Sequence, residues 1–455
     1  GNPSSTEISG DSIDNDCDGA VDANDNDCYS DGTIFYVSQS HGADSNNGLS
    51  PSSAWQSIAM VQSALNNSRI HAGDKVLFRR GDVWSEGTLS IHVTGTAEHP
   101  IVFGAYGVGE RPHVHYLAPA TPIYISASTY LTIESLHFTR ASRQLSVLGV
   151  SFDPQHISDR VTFRDMHLDG LGYGFSIYST NFLVENSIVE NCENSLSGGG
   201  HAQGMWVYGG SDYGIVRNNR FHNNGKYHTI FDHNIYLGGG NYWIFEGNSL
   251  SGDSGTSIVF HGVQRGHIIR NNLFFDNTAN MAMDISDYST GQYLQDFVVE
   301  NNRVFNNRGG GFWIRGAVNL LVRNNLFYNN STIFNIGSGV DHETTMTVEH
   351  NTFFGNTGLL SASGAPNVIF QENILDRGGV SGTAILQFNE NLAGTVDARF
   401  VDAAAGNFAL RPDSPAIDAA VASLTLTSDF FGNSRPVDGN SDGIARSDLG
   451  AIEMR

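Results

Sequence analysis

Between positions 226 and 236 the chain reads Lys-Tyr-His-Thr-Ile-Phe-Asp-His-Asn-Ile-Tyr. Lys226, Tyr227, His228, Asp232, His233 and Tyr236 therefore crowd into eleven residues, and Lys226 is one of only two lysines in the whole chain. An imidazole titrates near neutrality and can take a proton, while a phenol or an ammonium holds one to give. The types present suit a reaction in which one proton is removed and another delivered. His201, His261, Asp284 and Arg315 are further reactive residues well separated along the chain. They join this cluster only if the fold brings distant segments side by side.

A repeat supplies such a fold. From about Tyr130 to Leu375 one phrase recurs: apolar or β-branched residues, a polar residue, one or two Asn, then apolar residues again. It reads Phe182-Leu-Val-Glu-Asn186, Ile215-Val-Arg-Asn-Asn219, Ile268-Ile-Arg-Asn-Asn272, Val298-Val-Glu-Asn-Asn302, Leu321-Val-Arg-Asn-Asn325 and Thr347-Val-Glu-His-Asn351. The turn position falls at 186, 218, 247 (Gly), 271, 301, 324 and 350 (His), with gaps of 32, 29, 24, 30, 23 and 26. Such a period marks a solenoid, and the segments inside it are too short and too β-branched for helices. Each period reads as one coil of a parallel β-helix, with the Asn side chains stacked at the turns, bonding between coils and bridging local backbone. Arg217, Arg270 and Arg323 recur within the phrase and are expected to form a solvent-facing ladder.

Composition agrees. The chain of 455 residues has 52 Gly and 11 Pro, as strands joined by tight turns require. Lys and Arg total 24 against 47 Asp and Glu, a formal charge of -23, which argues against nucleic-acid binding. It leaves room for an acidic sugar polymer where a local basic cleft or a bound cation reverses the field. No apolar run reaches membrane-spanning length. An acidic, Asn-rich, Lys-poor β protein is expected to be secreted and monomeric. Of three cysteines, Cys192 is expected to be a buried small residue, and Cys17 and Cys28 to close a small loop.

Three regions follow: an Asp-rich segment 1–32, a β-helix with its N-terminal cap over 33–394, and a capping segment 395–455. In the first, Asp14, Asp16 and Asp18 alternate before Gly19, with Asp22 and Asp25 beyond. Alternating carboxylates on a turning chain converge on a cation, so these five are expected to hold structural Ca²⁺, with Ca²⁺ in the cleft as a further expectation. The segment is similar to the Asp-Asn-Asp-Cys-Asp-Gly metal-binding repeats of secreted bacterial proteins, without the flanking helices of an EF-hand. In the second, Trp55, Ile58, Val61 and Leu65 have helical spacing, predicting a helix over 51–67 capped by Ser52 or Ser53 that plugs the end of the solenoid. In the third, Asp438 and Asp442 read as an Asx-rich turn.

Phe35-Tyr-Val, Gly42-Ala-Asp with Asn46-Asn-Gly48, Trp55-Gln-Ser-Ile58, Gly73-Asp-Lys-Val and Arg80-Gly-Asp82 resemble the N-terminal cap and first coils of right-handed parallel β-helix proteins of the pectate lyase-like superfamily. Phe400-Val-Asp, Pro412-Asp-Ser-Pro-Ala-Ile-Asp418 and Asp448-Leu-Gly-Ala-Ile-Glu453 look like the closing segment of its secreted members. The resemblance spans roughly 33–455. It implies an all-β right-handed parallel β-helix with an N-terminal capping helix and a loop-rich C-terminal cap, and a polysaccharide lyase, epimerase or glycosidase activity. It says little about which, because one fold carries many chemistries.

Alternation along the strands just upstream of the Asn phrase separates two faces. Phe175, Ile177, Met205, Val207, Ile235, Leu237, Ile258, Phe260, Met283, Ile285, Phe312 and Ile314 point inward. Tyr178, Trp206, Tyr208, Tyr236, His261, Asp284, Trp313 and Arg315 then point outward. Coils stack about 4.8 Å apart, so this stripe extends roughly 25 Å, the length of several sugar rings. Loops 192–203, 222–234 and 287–293 rise beside it. His201, Arg265 and Asp287 are accordingly expected among the substrate-binding residues.

A non-catalytic, carbohydrate-binding β-helix would show the same aromatic stripe without needing the Lys-His-Asp-His concentration; for an enzyme, two chemistries fit a glycan there. β-Elimination on a uronic-acid polymer needs charge neutralisation at C6, a base for the C5 proton and an acid for the leaving oxygen. Arg315, Arg265, Lys226 or Ca²⁺ would supply the first, His233 or His228 the second, and Tyr236 or Lys226 the third. Phe231-Asp-His-Asn234 loosely resembles the Asp-Pro-His stretch of alginate epimerases, but the Pro is missing and Asn replaces a Glu. Glycoside hydrolysis needs two carboxyl groups, here Asp284 with Asp232 or Asp287. The paired Asp signatures of polygalacturonase-like hydrolases are absent. His222 and His267 are expected to be structural or surface residues.

Overall fold

The structure, a computed structural model, describes residues 32–455 apart from 86, 143–146, 194–200, 226–230, 254, 278–279, 377–378, 395 and 422–425. The five Asp of the N-terminal segment, Cys17 and Cys28, and the catalytic candidates Lys226 and His228 lie outside the described residues. Three long parallel sheets wrap one elongated core. The first runs from Ile34–Val37 to Ile385–Asn389, the second from Val83–Trp84 to Leu392–Ala393, and the third from Leu89–Ile91 to Val380–Gly382. A coil visits them in that order; Ile244–Glu246, Ser249–Ser251 and Ile258–Phe260 are one example. Each strand pairs with its counterpart in the coils before and after. No described helix is long and apolar enough to cross a membrane.

The Asn phrases build the corner between the first and second sheets, and their two positions do different work. The first takes a left-handed backbone conformation. Asn186, Asn218, Gly247, Asn271, Asn301, Asn324 and His350 have φ between +49° and +66°, which Asn and Gly tolerate better than other residues. The second Asn turns its amide into the dry interior. Asn302 is typical: its Oδ1 accepts from the backbone N–H of Asn272 at 2.9 Å and from that residue's Nδ2 at 3.0 Å. Its own Nδ2 donates to the carbonyl of Ile269 at 2.8 Å and to Oδ1 of Asn325 at 3.0 Å. The ladder continues through Asn219, Asn248, Asn272, Asn302, Asn325, Asn351, Asn373 and Asn391. A second ladder, Asn277, Asn307, Asn330 and Asn356, lines the next corner.

On the outer face of the first sheet, one register column alternates in charge: Arg164, Glu185, Arg217, Glu246, Arg270, Glu300, Arg323 and Glu349. The expected Arg ladder is thus half of a mixed one. Glu185 is held between Arg164 at 2.6 Å and Arg217 at 2.7 Å, and Arg323 reaches Glu300 at 2.8 Å.

At the N-terminal end the helix is shorter than its apolar spacing predicts. It spans Ile58–Asn66, and the Oγ of Ser57, not of Ser52 or Ser53, accepts from the N–H of Met60 at 3.1 Å. Pro51–Ser53 form a 3₁₀ turn instead. Trp55 precedes the helix because its backbone bridges to Val37 while its ring stacks on Phe35 at 4.8 Å. The C-terminal segment lies on the flank of the last coils. Phe400, Phe408, Leu410 and Ile452 share a core with Leu326 and Ile374, and Arg435, itself buried, reaches Nδ1 of His350 at 2.7 Å. Asp438 closes an Asx turn on the N–H groups of Asp442 and Gly443.

The division of labour within the phrase is testable. Asn301→Gly keeps the left-handed corner and is expected to shift stability by no more than about 0.5 kcal/mol. Asn302→Ala strands the Asn272 N–H and the Ile269 carbonyl in a fully buried site. It is expected to cost about 1–3 kcal/mol for each group left unpaired. Denaturant midpoints of the two variants beside the parent measure the difference.

Candidate active site

The third sheet places the reactive side chains. Its inward residues, Phe175, Ile177, Met205, Val207, Ile235, Leu237, Ile258, Phe260, Met283, Ile285, Phe312 and Ile314, are fully buried, as alternation requires. Outward, one register column runs Ser176, Trp206, Tyr236, Val259, Asp284, Trp313 and Asn335. Tyr178, Tyr208 and His261 sit two positions further on, just past the ends of the strands Tyr173–Ile177, Gln203–Val207 and Ile258–Phe260. The aromatic side chains touch in series: Tyr178 meets Tyr208 edge-on at 6.2 Å, Tyr208 stacks on Trp206 at 5.8 Å, and Trp206 meets Tyr236 edge-on at 5.6 Å.

Where this row reaches Asp284, a cleft of about 530 Å³ opens. Phe231, His233, Tyr236, Thr256, Val259, His261, Asn280, Met281, Asp284, Tyr288 and Trp313 line it. Tyr236 Oη lies 3.2 Å from Nδ1 of His261. Nε2 of the same ring faces Oδ2 of Asp284 at 3.7 Å. Tyr288 donates its phenol proton to that oxygen at 3.0 Å and packs edge-on against His261 at 4.6 Å. A chain of groups thus runs Tyr236, His261, Asp284, Tyr288. Nε2 of His261 and Oδ1 of Asp284 are both buried without a protein hydrogen-bond partner. The 3.7 Å gap is too long for a hydrogen bond. Burial and the nearby Asp284 charge hold both phenols above their ordinary range, so both stay protonated at neutral pH.

The other expected site residues divide. Trp206, Tyr208, Tyr178, Tyr236, His261, Asp284 and Trp313 stand on the outward face as the alternation predicts. Arg315 stands at the cleft's edge, its guanidinium 5.3 Å over the Tyr288 ring and its Nε bonded to the carbonyl of Ser338 at 3.0 Å. His201 packs against Phe231 at 4.8 Å on the cleft wall. His233 lines the cleft but is a poor base. Its Nδ1 donates to the carbonyl of Thr256 at 3.0 Å, and burial pushes its pKa down to about 4.

Three expectations are corrected. Asp232 is buried and accepts the N–H of Ala202 at 2.9 Å, so it fastens one wall loop to the next coil and does not pair with Asp284. Asp287 is buried and accepts the N–H of Val340 at 2.8 Å, fastening the opposite wall. Arg265 is exposed away from the cleft, its guanidinium over the Tyr242 ring at 5.4 Å. Asp284 is therefore the one carboxylate among the described lining residues. A Ca²⁺ ion takes six to eight oxygens, largely from carboxylates and carbonyls. This set of imidazoles, phenols and one carboxylate does not fit it.

Tyr288, Thr256, Asn280 and Met281 escaped the sequence reading because they sit on loops without periodicity. Tyr288 lies inside the loop recognised as a wall and next to Asp287, and its phenol was the available signal. His267 is buried and accepts the N–H of Trp243, and His222 bonds Ser251, both structural as expected. Cys192 is fully buried, which raises its thiol pKa far above the reactive range.

The chain belongs to the right-handed β-helix family: the model for the right-handed beta helix region matches residues 121–290 and 212–375. Over 79 residues it is 38% identical to a lacto-N-biosidase of Bifidobacterium longum subsp. longum, a match covering 17% of this chain and only 5% of that protein. Among solved structures it resembles the GH136 lacto-N-biosidase from Eubacterium ramulus, with 16% identity, TM-score 0.53, and 79% and 67% of the two chains covered. It also resembles the pectate lyase Pel9A, with 16% identity, TM-score 0.51, and 94% and 97% covered. At such identities the two structures establish a shared fold.

Behind the cleft, Asn234 links the wall to the core: it accepts from Nδ2 of Asn224 at 2.8 Å and donates to Oδ2 of Asp253 at 2.9 Å. Complete burial raises the Asp253 pKa from 3.8 to about 8, while burial raises Asp448 to about 6 and Glu453 to about 7. Each stays protonated in the folded chain at a pH where the unfolded chain has lost the proton, so their contribution to stability falls as pH rises through the folded value. The depressed carboxylates of Asp165 and Glu185 act oppositely, losing stability as pH falls below about 4. Thermal midpoints are expected to be higher near pH 5 than near pH 9. Asp253→Asn is expected to lower that slope throughout the interval from about pH 4 to about pH 8, and to abolish it between about pH 7 and 8, where Asp253 alone of the three holds its proton.

Proposed function

We propose that this protein is a carbohydrate-active enzyme that cleaves a uronic-acid-containing polysaccharide by β-elimination. The observation that carries the reading is the Tyr236–His261–Asp284–Tyr288 chain at the end of a row of outward aromatic rings. Sugar rings present apolar faces to Trp206, Tyr208 and Trp313 and hydroxyls to the polar groups between them. Such a polymer meets the enzyme outside the cell, in keeping with an acidic, lysine-poor secreted protein.

In this reading the neutral imidazole of His261 takes the proton from C5. The C5–H electron pair becomes the C4–C5 double bond, and the C4–O bond breaks with its electrons going to the leaving oxygen. Asp284 stabilises the imidazolium so formed, since its Oδ2 already faces Nε2. Tyr236, protonated and hydrogen-bonded to the same ring, delivers its proton to the leaving oxygen. Tyr288 holds Asp284 in place. Arg315, at the cleft's edge, is the described group placed to neutralise the uronate carboxylate. No water is consumed, and proton and electron pairs balance.

A second reading, glycoside hydrolysis, draws support from Asp284 and from the lacto-N-biosidase likeness. Its weakness is the second carboxylate: Asp232 and Asp287 are buried, each accepts a backbone N–H group, and neither lines the cleft.

Incubation with polymannuronate, polyguluronate and polygalacturonate, followed by ultraviolet absorbance and product mass, separates the two. Unsaturated oligomers are expected; saturated products one water heavier per cut would establish hydrolysis. His261→Ala and Tyr236→Phe are each expected to lower kcat by about 10² to 10⁴ with the fold intact. Trp206→Ala is expected to raise KM with little change in kcat. Full activity in both His261→Ala and Tyr236→Phe would remove this site from consideration.

A further inference from the structure

The second sheet carries a cluster that the cleft chemistry does not use. His113, His137 and His167 occupy one outward register column in three successive coils. Their rings are parallel stacks, 4.3 Å between His113 and His137 and 4.3 Å between His137 and His167. Side chains that point out from one sheet face two residues apart lie beside each other. Asp169 therefore stands next to His167.

One nitrogen each of His137 and His167 and a carboxylate oxygen of Asp169 lie within 4.8 Å of one another. Nε2 of His137 is buried and has no protein hydrogen-bond partner. The other members are held. Glu190 takes Nε2 of His167 at 3.1 Å and is itself paired with Arg220 at 3.1 Å. Asn191 donates to Oδ1 of Asp169 at 2.8 Å. A carboxylate fixing the tautomer of one imidazole, and an amide orienting a carboxylate, are the outer-shell supports that metal-ligating residues ordinarily have.

We propose that His137, His167 and Asp169 bind a divalent first-row transition metal of the zinc class. Two imidazoles and one carboxylate are a donor set that zinc accepts and calcium does not favour. Donors sharing one tetrahedral zinc lie about 3.4 Å apart, so on binding the three groups close inward and the stacked rings of His137 and His167 rotate until their lone pairs converge. The site lies on a different sheet from the cleft, and it serves to tie two consecutive coils together.

Zinc titration of the full chain by calorimetry, with a chromophoric chelator as competitor, tests this directly. One equivalent that calcium does not displace is expected. His137→Ala is expected to abolish that equivalent, and Glu190→Gln to weaken it about 10-fold or more. Circular dichroism of each variant checks that the solenoid is intact. His137→Gln, which keeps the bulk of the side chain, is expected to behave as His137→Ala does. Unchanged zinc affinity in folded His137→Gln and Asp169→Asn variants would overturn the assignment and leave the stacked imidazoles a packing feature only.

Discussion

A solenoid of this kind must turn its backbone at every corner of every coil, inside a core that excludes water. Each corner interrupts the strand ladder and leaves N–H and C=O groups that need partners, because a buried polar group without one costs about twice what a normal hydrogen bond contributes. The inward Asn amides meet that need. One amide such as Asn302 serves the coil below, the coil above and its own strand. The spacing this requires is the strand spacing, so the ladder and the sheets enforce the same repeat. Every other property of the molecule rests on that shared period.

The cleft inherits its precision from this arrangement. Tyr236, His261 and Asp284 come from three successive coils, and none is near another along the chain in the sense that matters for proton transfer. Their mutual distances are set by inward neighbours, Ile235, Phe260 and Ile285, which are fully buried. Loops then finish the site. Asp232 fastens one wall to the neighbouring coil and Asp287 fastens the other to a loop two coils further along, which leaves Asp284 as the carboxylate among the described lining residues. Tyr288 arrives on one of these walls and completes the polar chain.

Much of this was readable in the sequence. The corner positions follow from Asn and Gly recurring where the chain must adopt positive φ, and the two faces of the third sheet follow from strict alternation between Ile235 and Tyr236, or Met283 and Asp284. What escaped did so for physical reasons. A buried Asp that accepts a backbone N–H has the same letter as one that does chemistry, so Asp232 and Asp287 looked like partners for Asp284. Trp55 fits a helical spacing with Ile58 and Val61, yet its backbone pairs with a strand, and the helix waits for Ser57. Tyr288 and Met281 lie on loops, where no period says which way a side chain points. The stacked imidazoles of His113, His137 and His167 are one per coil and 24 or 30 residues apart, a spacing that shows as a column only once the register is known.

The alternating column on the first sheet has a consequence for how such a chain lengthens or shortens over time. Arg164, Glu185, Arg217, Glu246, Arg270, Glu300, Arg323 and Glu349 form a sequence of opposite signs, one per coil. Removing a single coil from within it would set Arg beside Arg or Glu beside Glu about 4.8 Å apart, a destabilising juxtaposition. Removing or duplicating two leaves every neighbour of opposite sign. The column thus acts as a parity rule: along this stretch the solenoid tolerates changes in length by even numbers of coils and resists odd ones.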